Sequence, residues 1–209
     1  MEEKKIIGLT GTYCAGKNHV ASILEALGLP VLDVDKLGHQ VIENEKEQIT
    51  RRFGSDILTA EGRVDRKKLG EKVFGSSEKL SALEEIVHPA ANRETLSWIK
   101  ARNEKACFIN AALLHRSSAF DILDAIIIVE APFMVRLLRA RKRDKLPWTA
   151  LFKRFRSQGN FHSQYFKEKT DIYRVSNPSV CGNSGFFGKK KQNETENQIN
   201  RILSLLGIL

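Results

Sequence analysis

The chain of 209 residues has only three cysteines, Cys14, Cys107 and Cys181, five prolines and two tryptophans. The cysteines lie far apart. An odd number without paired spacing excludes a disulfide framework and a zinc site built on cysteine, and it predicts a reducing, cytoplasmic setting. Long apolar runs are missing as well. The longest aliphatic stretch, Ala125 to Val129, is far shorter than the roughly 20 residues a membrane-spanning helix needs. The apolar run after Met1-Glu2-Glu3-Lys4-Lys5 is too short for a signal peptide. A soluble protein with no membrane partner is expected. Internal repeats are absent. Positive charge is in excess, 34 Lys and Arg against 25 Asp and Glu, a formal net charge of +9. Such a surface favours anionic partners such as nucleotides, polyphosphates, nucleic acid or acidic lipid, without choosing among them.

The most informative segment is Ile6-Ile7-Gly8-Leu9-Thr10 followed by Gly11-Thr12-Tyr13-Cys14-Ala15-Gly16-Lys17-Asn18-His19. A short apolar strand runs into Gly-x4-Gly-Lys, and a helical stripe follows at Val20, Ile23, Leu24 and Leu27. This is the P-loop pattern except at its last position, where Asn18 replaces Ser or Thr. In such a loop the main-chain amides from Gly11 through His19 form an anion nest, the helix N-terminus adds partial positive charge, and Lys17 reaches the β- and γ-phosphates. The missing hydroxyl is normally a Mg²⁺ ligand. Asn18 offers a carbonyl oxygen in its place and is the candidate metal ligand. An ordinary strand–turn–helix with fortuitous glycines is the competing reading.

Alternating strand and helix patterns argue a parallel α/β sheet. Strands are predicted at Ile6–Thr10, Pro30–Asp35, Ala106–Ile109, Ala125–Val129 and, weakly, Asp171–Val175. Helices are predicted over 17–27, 36–51, 66–74, from a Ser77 cap to a break or kink at His88-Pro89, onward to Arg102, over 133–143, from Pro147-Trp148 to Gln158, and over 195–206. The Gly- and Lys-rich stretch 177–191 is expected to be a loop. Asp33 and Asp35, two apart on the second strand, are expected to share one face. One carboxylate would then take the proton of an attacking hydroxyl while the other positions Mg²⁺ or its waters. A carboxylate is a weak base, which suffices where catalysis is mostly positioning and charge neutralisation. Capping of the next helix is the competing role.

Between Arg136 and Arg156 stand nine cations, Arg136, Arg139, Arg141, Lys142, Arg143, Lys145, Lys153, Arg154 and Arg156, against the single acid Asp144. This segment reads as a lid over phosphates, or as a solvated basic face. His88 has two readings, a contact to a substrate phosphate or ribose and a helix cap. The other histidines lack ligand spacing, and Trp98 and Trp148 are expected to serve packing.

Together these pieces resemble the dephospho-CoA kinase family. The resemblance runs through the P-loop, Leu32-Asp33-Val34-Asp35, Phe53-Gly54 with Glu61-Gly62-Arg63-Val64-Asp65-Arg66, Leu83-Glu84-Glu85-Ile86-Val87-His88-Pro89, and Arg139…Arg143-Asp144 with Gln158 beyond. It implies a P-loop NTPase-like three-layer parallel sheet with a helical substrate-binding subdomain and a lid. Within a single kinase domain, 1–209, the core would span about 1–50, 104–135 and 168–209, the CoA-binding subdomain about 51–103, and the lid about 136–167. The implied reaction is phosphorylation of the ribose 3′-hydroxyl of dephospho-CoA by ATP with Mg²⁺. Asp35 would be the base, Lys17 the phosphate clamp and Arg139 a lid arginine, with Asp33, Asp35, Arg66, His88 and Arg139 touching substrate. No specific nucleic acid is implied. The chain departs from the family at Thr12, Cys14 and Asn18, and where Pro-Leu-Leu-Phe-Glu becomes Ala112-Leu113-Leu114-His115-Arg116. These departures motivate an alternative, a degenerate relative that binds nucleotide or CoA and transfers little phosphate. A second alternative is another nucleoside or small-molecule kinase.

Overall fold

Leu9, Phe108 and Ile127 are fully buried, because the strands that carry them are covered on both faces and can be apolar at every position. The computed structural model describes residues 4–156, Phe161, Tyr165, 170–178 and 186–209. Five strands form one sheet in the order β2-β3-β1-β4-β5: β1 Lys5–Gly11, β2 Val31–Asp33, β3 Ala106–Asn110, β4 Ala125–Glu130 and β5 Asp171–Ser176. β1 pairs in parallel with β3, Leu9 opposite Asn110, and with β4, Leu9 opposite Ile127. β4 pairs in parallel with β5.

The chain divides into two compact units, Met1–Val31 with Arg102–Leu209, and Leu32–Ala101. Residues 32–50, expected in the core, therefore group with the helical unit. In the first unit, α1 (Lys17–Ala26) and α8 (Phe186–Leu205) cover one face of β1. Val20, Ala21 and Leu24 from α1, and Ile199, Ile202 and Leu203 from α8, pack with Ile7 and Leu9. Gly8 and Thr10 alternate to the opposite face. A Cβ on Gly8 would lie 2.5 Å from Leu114 and 2.8 Å from Leu123. Thr10 Oγ1 lies 3.4 Å from the buried Tyr165 hydroxyl. Helices α6 (Phe133–Asp144) and α7 (Trp148–Arg156) complete the unit's described helices.

The second unit is helical: α2 (Val34–Asn44), α3 (Lys46–Phe53), α4 (Arg66–Val73) and α5 (Ser77–Lys100). Its own core comprises Ile49, Ile57, Val64, Leu69 and Val73, with Leu80, Leu83, Ile86 and Val87 of α5 packed against it.

Four expectations need correction. β2 stops at Asp33, because the Asp33 carboxylate accepts a hydrogen bond from the Lys36 amide and starts α2. Asp35 is thus in the first turn of a helix, and the two acids do not share a strand face. Helix α5 runs without a break through His88-Pro89. Both residues are exposed, so the Glu85 carbonyl that proline leaves without its usual amide partner is on the solvent side of the helix. The cap of α5 is Ser76, one residue before the expected Ser77. Finally, residues 186–191 belong to α8, while 179–185 and Gln158 lie outside the described residues.

β1 and β4 approach so closely at the end of β1 that a Cβ on Gly11 would sit 2.7 Å from the Val129 carbonyl oxygen. Backbone of a central strand cannot swing aside as a side chain can. Gly11→Ala is expected to destabilise the fold by about 1–3 kcal/mol, the scale of core overpacking. Chemical denaturation of the purified variant measures this.

Candidate active site

The loop between β1 and α1 is a narrow cradle. The Ala15 amide donates to the Thr12 carbonyl at 2.9 Å. Cys14 and Gly16 take positive φ values, 58° and 97°, turning successive amides the same way as in an anion nest. Gly16 is the N-cap of α1 and provides no side-chain cap, and no acid occupies the first turn. The contrast with α2, α4 and α5 is informative, since Asp33, Asp65 and Ser76 cap those helices. Of these four only α1 lacks a side-chain cap, as α3 and α6 also do, and with the glycine-bounded loop before it the positive end of its dipole suits an anion. Lys17, half-buried, Asn18, exposed, and His19, half-buried, form its first turn.

Two residues brace the back of this loop. Arg139 Nη1 donates to the Cys14 carbonyl at 3.1 Å and the Ala15 carbonyl at 2.7 Å, and its Nη2 donates to the Asn177 carbonyl at 2.9 Å. The buried Asn177 Nδ2 donates to the Ala15 carbonyl at 3.0 Å. A side chain on Gly16 would strike that same Asn177 amide at 2.1 Å, which adds a packing reason for glycine to the conformational one. Arg139, expected as a lid arginine acting on transferred phosphate, here anchors loop carbonyls. Its rigid fork suits several acceptors at once.

The basic helices are also tied to the loop. The Tyr13 hydroxyl donates to Asp144. Asp144 also accepts from Arg143 Nε at 2.7 Å and Arg154 Nη1 at 3.2 Å. The Arg143 guanidinium lies 5.2 Å from the centre of the Tyr13 ring, and Phe155 meets that ring edge-on at 5.1 Å. Arg143 holds the Asp144 carboxyl below its ordinary range. Burial, aided by Asp144, raises the Tyr13 hydroxyl. Arg136 lies 5.2 Å from the Phe155 ring and Arg141 5.3 Å from the Trp148 ring. Trp148 is therefore a half-exposed partner for a cation, not a core residue. The cations of this segment are in part a packed latch. Burial also raises the Cys14 thiol, against the pull of Arg143, Arg139 and Arg136, and favours its protonated form.

Beneath the loop, Asn110 at the end of β3 donates from Nδ2 to Asn18 Oδ1 at 3.3 Å. His115 Nδ1 lies 3.3 Å from the Tyr165 hydroxyl, and burial lowers its basicity. This histidine belongs to a buried network with Tyr165 and Thr10.

The acidic pair and two other expected substrate contacts belong to the helical unit. Asp33 is committed to capping and lies 3.6 Å from Lys36 Nζ, so the capping role holds for it. Asp35 is exposed in the first turn of α2. Arg66 is the exposed first residue of α4, beside the Asp65 cap. His88 is exposed in mid-helix on α5 and caps nothing. Sequence reasoning missed Asn110, Asn177 and the bracing by Arg139. Asn110 carries a faint signal, a polar residue directly after four buried apolar ones.

An uncapped helix N-terminus, a following lysine and a glycine-bounded loop at the end of a central parallel strand define a P-loop phosphotransferase. The family model for dephospho-CoA kinase matches residues 5–172. A dephospho-CoA kinase of Treponema denticola is 32% identical over 185 residues, covering 84% of this chain and 83% of the relative. A crystal structure of TT1252 from Thermus thermophilus superposes with a TM-score of 0.76 at 29% identity, covering 98% of each chain. Dephospho-CoA kinase from Campylobacter jejuni gives a TM-score of 0.64 at 26% identity, covering 95% of this chain and 97% of that one. The chain belongs to the dephospho-CoA kinase family, enzymes that transfer phosphate to an alcohol. No helix among the described residues is long and apolar enough to cross a membrane.

Two outcomes follow from the bracing. Arg139→Ala is expected to weaken ATP binding about tenfold or more, because it removes three hydrogen bonds from a charged donor, each worth roughly 1.5–3 kcal/mol when buried; titration calorimetry reads this. Asp144→Asn is expected to cost about 1 kcal/mol at neutral pH, the modest value reflecting its exposed arginine partners. The hydrogen bond from Arg143 holds the Asp144 carboxyl of the folded protein below the ordinary carboxylate range. Its stabilisation is therefore complete above the ordinary carboxylate range and is lost as pH falls through the folded value. The stability gap between wild type and Asp144→Asn should hold from neutral pH to about pH 5 and close below it, as followed by denaturation at a series of pH values.

Proposed function

We propose that the chain phosphorylates the ribose 3′-hydroxyl of dephospho-CoA with ATP, giving CoA and ADP. The reading is carried by the one uncapped helix start that follows a Gly-x4-Gly-Lys loop, in a chain matched by the dephospho-CoA kinase model over residues 5–172. The loop from Gly11 to His19 holds the triphosphate, and Lys17 sits against its β- and γ-phosphates. The 3′-hydroxyl oxygen forms a bond to the γ-phosphorus, its proton passes to the Asp35 carboxylate, and the bond from phosphorus to the β–γ bridging oxygen breaks to release ADP. Arg139 and Asn177 keep the loop in shape while charge moves, which avoids reorganisation in the transition state. Arg66 and His88 contribute contacts to the acceptor.

Mg²⁺ bound with ATP would neutralise charge on the phosphates. The residues present fit it through oxygen. Asn18 stands at the usual ligand position, and Asn110 beside it has a buried Oδ1 without a hydrogen-bond partner.

A second reading, nucleotide binding with little transfer, is favoured by Asn18 and by Arg116 at the family's acidic position. A coupled ADP-release assay with dephospho-CoA and Mg-ATP, beside a control without acceptor, tests both. Acceptor-dependent ADP release is expected. Asp35→Asn should lower turnover by about two to four orders of magnitude, the range for a general base, with ATP binding retained. Full turnover in that variant refutes the assignment of Asp35. If the parent is nearly inactive and Asn18→Ser restores a high rate, the second reading replaces the first.

A further inference from the structure

P-loop enzymes hold Mg²⁺ with the loop Ser or Thr hydroxyl and a carboxylate that shares the ion with it. In this chain the residue at the hydroxyl position is Asn18, and the residue touching it, 3.3 Å away, is Asn110. The residue at the hydroxyl position and the one touching it are thus both neutral carboxamides. Asn110 ends β3, the strand parallel and adjacent to the P-loop strand, in register with Leu9. It is 1% exposed, and its Oδ1 is a buried acceptor without a hydrogen-bond partner. Buried acceptors are seldom left unpaired, and each one asks for an explanation such as an ion. Asn18 Oδ1 accepts one hydrogen bond, from Asn110, and a carbonyl oxygen has a second lone pair to offer. No group of three or more His, Cys, Asp or Glu able to hold a metal occurs among the described residues.

We infer that Asn18 and Asn110 form an uncharged seat for the Mg²⁺ of Mg-ATP, filled only when the nucleotide brings its own negative charge. This rests on the ATP-dependent reading above and adds Asn110 as a metal-positioning residue. The physical consequence is a change in binding order. A buried carboxylate at position 110 would attract Mg²⁺ to the empty protein and repel metal-free ATP. A carboxamide has nearly the same shape and does neither. Mg²⁺ sheds water reluctantly and is ordinarily held by one or two carboxylates together with substrate phosphates. With amide oxygens alone on the protein side, the phosphates must supply the charge.

Mn²⁺, whose free form is counted by electron paramagnetic resonance, is the probe. It is titrated into the full chain with and without the β,γ-imido analogue of ATP. Wild type is expected to leave Mn²⁺ free without the analogue and to bind it when the analogue is present. Asn110→Asp, the isosteric change, should gain Mn²⁺ binding without nucleotide and bind the metal-free analogue more weakly. Asn110→Ala and Asn18→Ala should each weaken Mn²⁺ in the ternary complex about tenfold or more, the scale on which even outer partners tune a metal site. Their affinity for the metal-free analogue should fall by less than their affinity for Mn²⁺ in the ternary complex. Should Asn110→Ala fail to fold by circular dichroism, Asn110→Asp and the exposed Asn18→Ala decide the matter. A ternary Mn²⁺ affinity indifferent to all folded variants overturns the seat and leaves the kinase reading intact. So does wild-type Mn²⁺ binding without nucleotide as tight as that of Asn110→Asp. Failure of wild type to bind the analogue at all overturns the kinase reading, and the seat with it.

Discussion

The arrangement depends on leaving one helix start unsatisfied. A helix exposes four amides at its N-terminus, and α2, α4 and α5 spend a side-chain oxygen on them. Helix α1 does not. Gly16 contributes only backbone and no acid follows in the first turn, an arrangement suited to an anion. The cost is a loop that must hold its shape without a ligand. Arg139 and Asn177 meet that need by taking up the Cys14 and Ala15 carbonyls.

This division of labour gives the basic segment a different meaning from a simple electrostatic lid. Arg139 shapes the loop, while Arg143, Arg154 and Asp144 bind Tyr13 at its rim. Part of the charge in helices α6 and α7, that of Arg139, Arg143 and Arg154, is therefore spent on fixing the cradle. The aromatic contacts of Phe155 and Trp148 with Tyr13, Arg136 and Arg141 support the same surface. Lys142, Lys145, Lys153 and Arg156 are the exposed remainder of the positive face.

Much of the sheet was legible in the sequence, because β1 and β4 are continuous apolar runs and the P-loop has fixed glycine spacing. The second strand was read too long. Its apolar character continues to Val34, yet the Asp33 carboxylate captures the Lys36 amide and commits the chain to α2. Pro89 misled in the opposite direction, since an exposed proline within a long amphipathic helix need not end it. The braces were beyond reach. Arg139 and its loop carbonyls are 124 and 125 residues apart, and Asn177 and Ala15 are 162 apart. Local pattern carries no information on such pairs. Asn110 is visible in the sequence only as the polar end of an apolar strand, and its meaning comes from Asn18 alongside it.

The central claim is that the α1 amides together with Lys17 capture the triphosphate of ATP. Titration calorimetry of wild type and Lys17→Ala with the metal-free imido analogue tests it most directly. Loss of one charge-assisted contact, worth roughly 1.5–3 kcal/mol, predicts an affinity about ten- to a hundredfold lower in the variant. Equal affinities in two folded proteins, or no heat from wild type at all, would contradict the account.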